Sequence, residues 1–155
     1  MSAIALREPD ERERAALVEL WVAAWNATFP QMNFDGRRAW LRARLAQLEA
    51  DGARLIAAFD EEAPLGFVVI DPATNWLDQI AVLPAAFGRG VARALLAEAR
   101  ALSPARINLD VNADNARALR FYEREGFVKV GEGRNPNSGL PTFKLEWAIN
   151  RPPRE

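Results

Sequence analysis

The 155-residue chain has no cysteine and no histidine. Without cysteine it has no disulfide and no thiol nucleophile. Without histidine it has no His-based triad, and without either it has no ordinary zinc site. Any catalytic proton transfer therefore falls to Asp, Glu, Tyr, Lys, water or backbone, and no metal is expected. Charge imbalance is also missing. Lys and Arg total 20, Asp and Glu total 21, and the pI is about 5.7. A general nucleic-acid binder would show a basic surplus, so no nucleic-acid partner is expected. Long apolar runs are absent too. Leu55–Phe59 and Gly66–Ile70 fall far short of the roughly 20 residues that span a bilayer. Met1 to Arg7 has neither the charged start nor the apolar stretch of a signal peptide. The expectation is a cytoplasmic protein with no membrane partner.

What is present is ordinary for a globular chain: 50% hydrophobic and 26% charged. The length suits a single domain over residues 1–150, with the Pro- and Arg-containing tail 151–155 expected to fray. Ile4–Leu6 reads as a short strand. Pro9 and Asp10 open a helix whose apolar stripe is Leu17, Leu20, Trp21, Ala24 and Trp25. Phe29-Pro30 ends it. A second helix is predicted over Asp35–Ala50, with an Arg-rich solvated face. Strands follow at Arg54–Phe59, Leu65–Ile70 and Trp76–Val82, joined by turn chemistry at Asp60–Pro64 and Asp71–Asn75. A helix is predicted over Gly90–Leu102, a strand over Ile107–Val111, and a helix from the polar break Asn112–Asn115 to Glu125. Phe127–Val130 and Thr142–Ile149 form a last strand pair around a loop, Gly131–Pro141. This order predicts an α/β fold. Its sheet is mixed and mainly antiparallel, with one parallel β-α-β crossover from Trp76 to Val111. The last strand pair leaves an exposed edge on which a homodimer could form.

Gly88-Arg89-Gly90 stands between a strand and a helix. Glycines there let the backbone approach an anion, and the first N–H groups of a helix lack internal partners. Arg89 and Arg93 are able to add charge-assisted bonds. On its own, the loop reads equally well as a tight turn that binds nothing. It lacks the GK[ST] of a P-loop, and Arg93 stands where a dinucleotide fingerprint needs its third glycine.

The run Ile80 to Leu96, IAVLPAAFGRGVARALL, resembles the central motif of the GCN5-related N-acetyltransferases (GNAT). So does Asn112 to Phe127, NADNARALRFYEREGF. The family signature is [RQ]-x-x-G-x-[GA], followed later by Asn and F-Y-x-x-x-G-F. Phe87 stands where the family usually has Arg or Gln. The resemblance implies an acyl-CoA N-acyltransferase fold and acetyl-CoA as cofactor. It implies that the main chain of Ile80, Ala81 and Val82 pairs with the pantetheine arm. Gly88, Arg89, Gly90, Val91, Ala92 and Arg93 would hold the pyrophosphate. Asn115 would bond near the thiol end and Tyr122 would sit by the sulfur. The sheet would open between its third and fifth strands to admit the cofactor.

An amine attacks a thioester only as the free base. A lysine-like amine, with pKa about 10.4, is roughly 3.4 units from that form at pH 7, and an α-amino group near 8 only about one unit. Asp78 and Asp110 are the two candidates for the base, and each also reads as a solvated strand residue. A backbone N–H near Val82 is the implied oxyanion donor. Tyr122, the only tyrosine, is the candidate acid for the departing thiolate. The resemblance implies that Trp25, Thr28, Phe29, Met32 and Phe34, with the loop Glu132–Pro141, border the acceptor site, and that Trp76 and Phe143 add apolar wall. The substrate-binding candidates are Trp25, Phe29, Phe34 and Trp76, and the region also reads as core and rim packing. Three functions are consistent with these features. The first is an acetyl-CoA-dependent N-acetyltransferase acting on a small primary amine. The others are a protein or peptide N-terminal acetyltransferase and a non-catalytic acyl-CoA sensor.

Overall fold

A computed structural model describes residues 3–150; the 151–155 tail expected to fray lies outside the described residues. The elements run β1 (Ile4–Arg7), α1 (Glu11–Thr28), α2 (Arg38–Ala50), β2 (Arg54–Asp60), β3 (Ala63–Asp71) and β4 (Trp76–Val82). They continue with α3 (Val91–Leu102), β5 (Arg106–Asn112), α4 (Ala116–Arg124), β6 (Val128–Arg134) and β7 (Pro141–Ala148). Short 3₁₀ turns at Asp35–Arg37 and Pro84–Ala86 lead into α2 and the glycine loop. The seven strands form one sheet in the order β1-β2-β3-β4-β5-β7-β6. Every pairing is antiparallel except β4 with β5. The mixed sheet with its single parallel crossover is therefore the one that the element pattern predicts.

Both faces of the sheet are covered, so β2 and β3 read as continuous apolar runs rather than alternations. Leu55, Ala57 and Phe59 face α1 and α2, packing with Leu17, Trp21, Leu41 and Leu45. Ile56 and Ala58 face the other way, into a core with Val91, Leu95, Leu96, Ile107, Leu109 and Phe127. Asp10 starts α1 with a capping box. Its carboxylate accepts from the Glu13 N–H at 2.8 Å, and Glu13 accepts from the Asp10 N–H at 2.9 Å.

Two boundaries differ from the sequence reading. The β2–β3 turn is only Glu61-Glu62, because Asp60 already pairs with Ala63, and Glu61 takes the left-handed conformation that closes the hairpin. Pro64 lies inside β3 beside a register shift at Ala58/Phe59, where a missing N–H is tolerated. At the other end, β6 extends to Arg134 instead of stopping at Val130. The ladder with β7 resumes after a shift at Lys129/Gly131, and the Lys144 side chain covers Gly131, 3.4 Å from where a Cβ would sit.

The opening that positions the site lies between β4 and β5, not between the third and fifth strands. β3 and β4 are a hairpin zipped from Asp71–Trp76 to Gly66–Val82 and cannot part. β4 and β5 pair at one position only, Trp76 with Asn108. The Asn108 N–H donates to the Asn75 carbonyl at 2.8 Å, and the Ser103 hydroxyl lies 2.8 Å from the Asn75 side chain. Those contacts hold the closed end of the fork. Beyond it the strands separate.

Candidate active site

The fork is a cleft of about 1060 Å³ lined by β4, the glycine loop, the start of α3, the end of β5 and one side of α4. The α1, α2 and 135–137 segments close its far end. Its edge is built by alternation. The Leu83 N–H donates to the Leu65 carbonyl at 2.8 Å. In an antiparallel ladder the main-chain groups of successive residues point to opposite sides. Ala81 therefore turns its groups to β3, opposite Phe67, while Ile80 and Val82 turn theirs into the fork. Two of the three residues expected to pair with a pantetheine arm thus offer free main-chain groups. The Val82 N–H is one of them.

Gly88 and Gly90 have φ of +83° and +81°, conformations that side chains disfavour. Gly90 is the N-cap of α3 and provides no side-chain cap, so the first amides of the helix remain open to the cleft. Gly66 brings this helix close. A Cβ there would meet the Ala81 carbonyl oxygen at 2.6 Å and Val91 and Leu95 at 3.2 Å. Val91 and Ala92 line the cleft; Arg89 does not, and points at Asp60, 3.5 Å away. Arg93 lines the cleft but lies 3.6 Å from Glu125. The cation that stands against the loop is one the motif did not single out. The Arg117 guanidinium lies 4.1 Å over the ring of Phe87, the residue replacing the usual Arg or Gln. Arg117 also lines the cleft.

Asn115 caps α4, its Oδ1 accepting from the Ala118 N–H at 3.2 Å, and lines the cleft. Its amide nitrogen is left to donate. Tyr122 also lines the cleft, buried and wedged edge-on between Phe121 and Phe127 at 5.3 and 5.2 Å. Burial alone pushes its pKa well above the ordinary value of 10.0. Its hydroxyl has no hydrogen-bond partner among the described residues. Thr142, on β7, lines the cleft with a buried hydroxyl that is likewise without a partner.

The two candidate bases differ sharply. Asp78 accepts four hydrogen bonds: Arg44 Nη2 at 2.5 Å, Arg44 Nε at 3.2 Å, Trp76 Nε1 at 3.1 Å and Gln79 Nε2 at 3.2 Å. Those donors fill the carboxylate's lone-pair positions. Asp110, at the open end of β5, meets Lys144 through one oxygen at 3.3 Å and keeps the other free.

The structure sorts the acceptor residues into two layers. Trp25, Thr28 and Trp76 line the cleft, joined by Trp40 and Arg44 from α2. Phe29 and Phe34 do not; they are buried behind Trp25, stacked on it at 5.9 and 5.7 Å. Phe34 and Met32 instead line a small adjoining pocket of about 80 Å³. Phe143 is outside the cleft, under Lys129. Trp40 and Arg44 sit one helical turn apart on the face read as solvated. A tryptophan among those arginines was the available signal.

The sequence profile of the Acetyltransferase (GNAT) family matches residues 10–127. The chain belongs to the GNAT family of acetyltransferases. Escherichia coli peptidyl-lysine N-acetyltransferase YiaC is 30% identical over 146 residues, covering 93% of this chain and 97% of that protein. Peptidyl-lysine N-acetyltransferase YjaB of Salmonella typhimurium is 25% identical over 138 residues, covering 89% and 92%. In fold, the PaiA N-acetyltransferase of Thermoplasma acidophilum, solved with coenzyme A, superposes with a TM-score of 0.76 at 18% identity. It covers 95% of this chain and 99% of that one. This GNAT protein is thus an acetyltransferase, an enzyme rather than a sensor. Among the described residues no helix is long and apolar enough to cross a membrane. No group of three or more His, Cys, Asp or Glu able to hold a metal lies together there.

Proposed function

We propose that this GNAT enzyme transfers the acetyl group of acetyl-CoA to a primary amine of a small molecule, by direct attack within a ternary complex. The observation that carries this reading is one continuous cleft. It joins an amide-rich glycine loop, an unpaired strand edge and an indole-lined chamber. The residues fit acetyl-CoA. The open amides at Val91 and Ala92 suit a pyrophosphate. Arg117, steadied on Phe87, offers a cationic donor beside the position where the family usually has Arg or Gln. Ile80 and Val82 offer strand-like bonds to an amide-bearing arm, and the Asn115 amide nitrogen one more.

In the reaction the amine nitrogen forms a bond to the thioester carbonyl carbon and the carbon–sulfur bond breaks. The products are an N-acetyl amide and the coenzyme A thiol. The Val82 N–H is aimed to stabilise the carbonyl oxygen as charge builds on it. Asp110, with its free oxygen, accepts the amine proton directly or through water. Tyr122 donates to the sulfur.

A second reading, acetylation of protein lysines, is favoured by the names of YiaC and YjaB. Release of free thiol, followed over a panel of small amines, lysine-containing peptides and peptides with free N-termini, tests both. The leading reading expects the highest kcat/KM on a small amine. A peptide that outperforms every small amine overturns it.

A further inference from the structure

Trp21, Gln79, Asp78, Trp76 and Arg44 form one fixed hydrogen-bond chain at the acceptor end of the cleft. The Trp21 indole N–H donates to Gln79 Oε1 at 3.0 Å, which orients the Gln79 amide so that its nitrogen donates to Asp78. Trp76 donates to the same carboxylate. Against this backing Asp78, its side chain 7% exposed, grips Arg44 side-on through Nε and Nη2. The pairing raises the Arg44 pKa further, so the guanidinium stays charged.

The side-on grip has a geometric consequence. A guanidinium has five N–H donors in a rigid plane. Asp78 occupies the Nε–Nη2 edge. Nη1 and the outer N–H of Nη2 lie on the edge turned away from it. Arg44 lines the cleft and its side chain is 42% exposed, so that edge is reachable. The indoles of Trp25, Trp40 and Trp76 line the same chamber. Its other polar groups are neutral: Gln79, Asn112, Asn135 and Asn137. The one further charge on this side, Asp110, is faced by Lys144. With Asp78 taken by Arg44 and the free oxygen of Asp110 assigned to the reacting amine, no further carboxylate among the described residues at this end of the cleft is left for a second positive group.

We infer that the acceptor is an amine that also carries a carboxylate, an amino-acid-like molecule with an apolar or aromatic body. Its carboxylate is read by the outer edge of Arg44 and its body by the three indoles. Asp78 is then a positioning residue that holds Arg44, not the base. This inference rests on the transferase reading above and sharpens its substrate class.

The test uses three matched acceptors: phenylalanine, phenylalaninamide and phenethylamine, with saturating acetyl-CoA and thiol release as readout. The amide has the less basic amine and so the larger free-base fraction. Against the amide, free-base availability therefore runs counter to the expected order, whereas against the more basic phenethylamine it runs with it, so the amide is the stricter control. The expected result is a kcat/KM for phenylalanine at least about tenfold above both neutral partners, the size of one charge-assisted hydrogen bond. In Arg44→Gln that ratio collapses to near one, mainly through KM, with acetyl-CoA affinity by calorimetry unchanged. Arg44→Lys, which keeps the charge but loses the fork, recovers only part of it. Thermal melts establish that both variants are folded, and calorimetric titration of phenylalanine into the wild-type coenzyme A complex gives an independent reading. The inference is overturned if the wild type favours either neutral partner, or if Arg44→Gln keeps the ratio. Turnover of other amines with indifference to the carboxylate sinks this inference alone. No turnover of any amine, with acetyl-CoA still bound, sinks the transferase reading and this inference with it.

Discussion

Replacing Tyr122 by Phe removes one oxygen from a buried site and leaves the ring packing intact. The Tyr122 hydroxyl has no partner among the described residues, and its pKa is raised by burial alone. It therefore stays protonated at any ordinary pH. The reference gap between a tyrosine near 10 and a thiol near 8.5 makes full proton transfer uphill by about 2 kcal/mol. Burial raises the tyrosine side, but the same cleft desolvates the sulfur and raises the thiol side too. The hydroxyl acts best as a donor whose hydrogen bond strengthens as charge builds on sulfur. A hydrogen bond to a charged group contributes about 1.5–3 kcal/mol, so kcat of Tyr122→Phe should fall roughly 10- to 150-fold. The KM for acetyl-CoA should stay within about twofold, because the bond matters only in the transition state. Steady-state thiol release measured from pH 6 to 10 checks this. The wild-type rate should climb with pH as the acceptor amine loses its proton, and Tyr122→Phe should show the same climb at a lower level. A second readout follows from linkage. A group whose folded pKa is raised contributes stability that is fully present below its unfolded pKa and lost as pH rises toward the folded value. Wild-type stability should therefore decline above pH 10 through this group, and the Phe variant should lack that component. A kcat unchanged within twofold across the whole range refutes the donor role.

Three further outcomes follow from the cofactor side. Gly66→Ala places a methyl 2.6 Å from the Ala81 carbonyl. It should cost about 1–3 kcal/mol, a thermal shift of several degrees, and should weaken acetyl-CoA binding in calorimetry by moving α3. Gly88→Ala meets no atom within 4 Å, so its cost is the left-handed backbone alone, about 1–2 kcal/mol. Gly88→Asn should be nearly as stable as wild type in a thermal melt yet still bind acetyl-CoA less tightly, because a side chain then stands where the phosphate approaches. Arg117→Ala should raise the KM for acetyl-CoA about tenfold or more with little change in kcat. Adding Phe87→Arg in that background should restore it; failure of the rescue with a folded protein would show that Arg117 does not stand in for the missing side chain.

The fold was largely legible because each of its signals is local. The Asp10 cap, the glycines at 88 and 90 and the polar break at Asn115 all stand in the structure where the sequence puts them. The misplaced boundaries came from nonlocal pairing. Nothing near Gly131 or Gly133 reads as strand, and only the β7 partner makes them one. The position of the fork was also nonlocal, since it depends on which strand pair is zipped by a hairpin. The site was legible where one strand or loop supplies it, at Ile80, Val82, Gly88 and Gly90. It was illegible where distant segments meet. Arg117 needed Phe87 to be seen over it, and Arg44 needed Asp78. On α2 the sequence shows arginines at 38, 42 and 44, and only the place of Arg44 one turn after Trp40 hints that it turns into the cleft while Arg38 pairs with Glu19.

The arginines also explain how a chain with net charge −1 can bind a polyanion. The two arginines nearest the glycine loop in sequence are near acids, Arg89 with Asp60 and Arg93 with Glu125. In the proposed binding mode the charge offered to the cofactor comes instead from Arg117 of α4, the helix that Asn115 caps and that carries Tyr122. In the proposed binding mode this helix and its cap would bear the groups for the phosphates, the arm and the sulfur. The opposing edge, β4, is fixed by its hairpin to β3. In that mode a cofactor lying in the fork would run along α4 on one side and along β4, held by its ladder to β3, on the other. The acceptor end is built differently. It is assembled from α1, α2, β4 and the 135–137 segment, elements far apart in sequence; α1, α2 and β4 are tied there by the Trp21–Gln79 bond, the Arg44–Asp78 pair and the aromatic stack behind Trp25. If the acceptor is read there as proposed, changes on α2 would alter which amine is chosen while leaving the α4 and β4 sides of the cofactor fork in place.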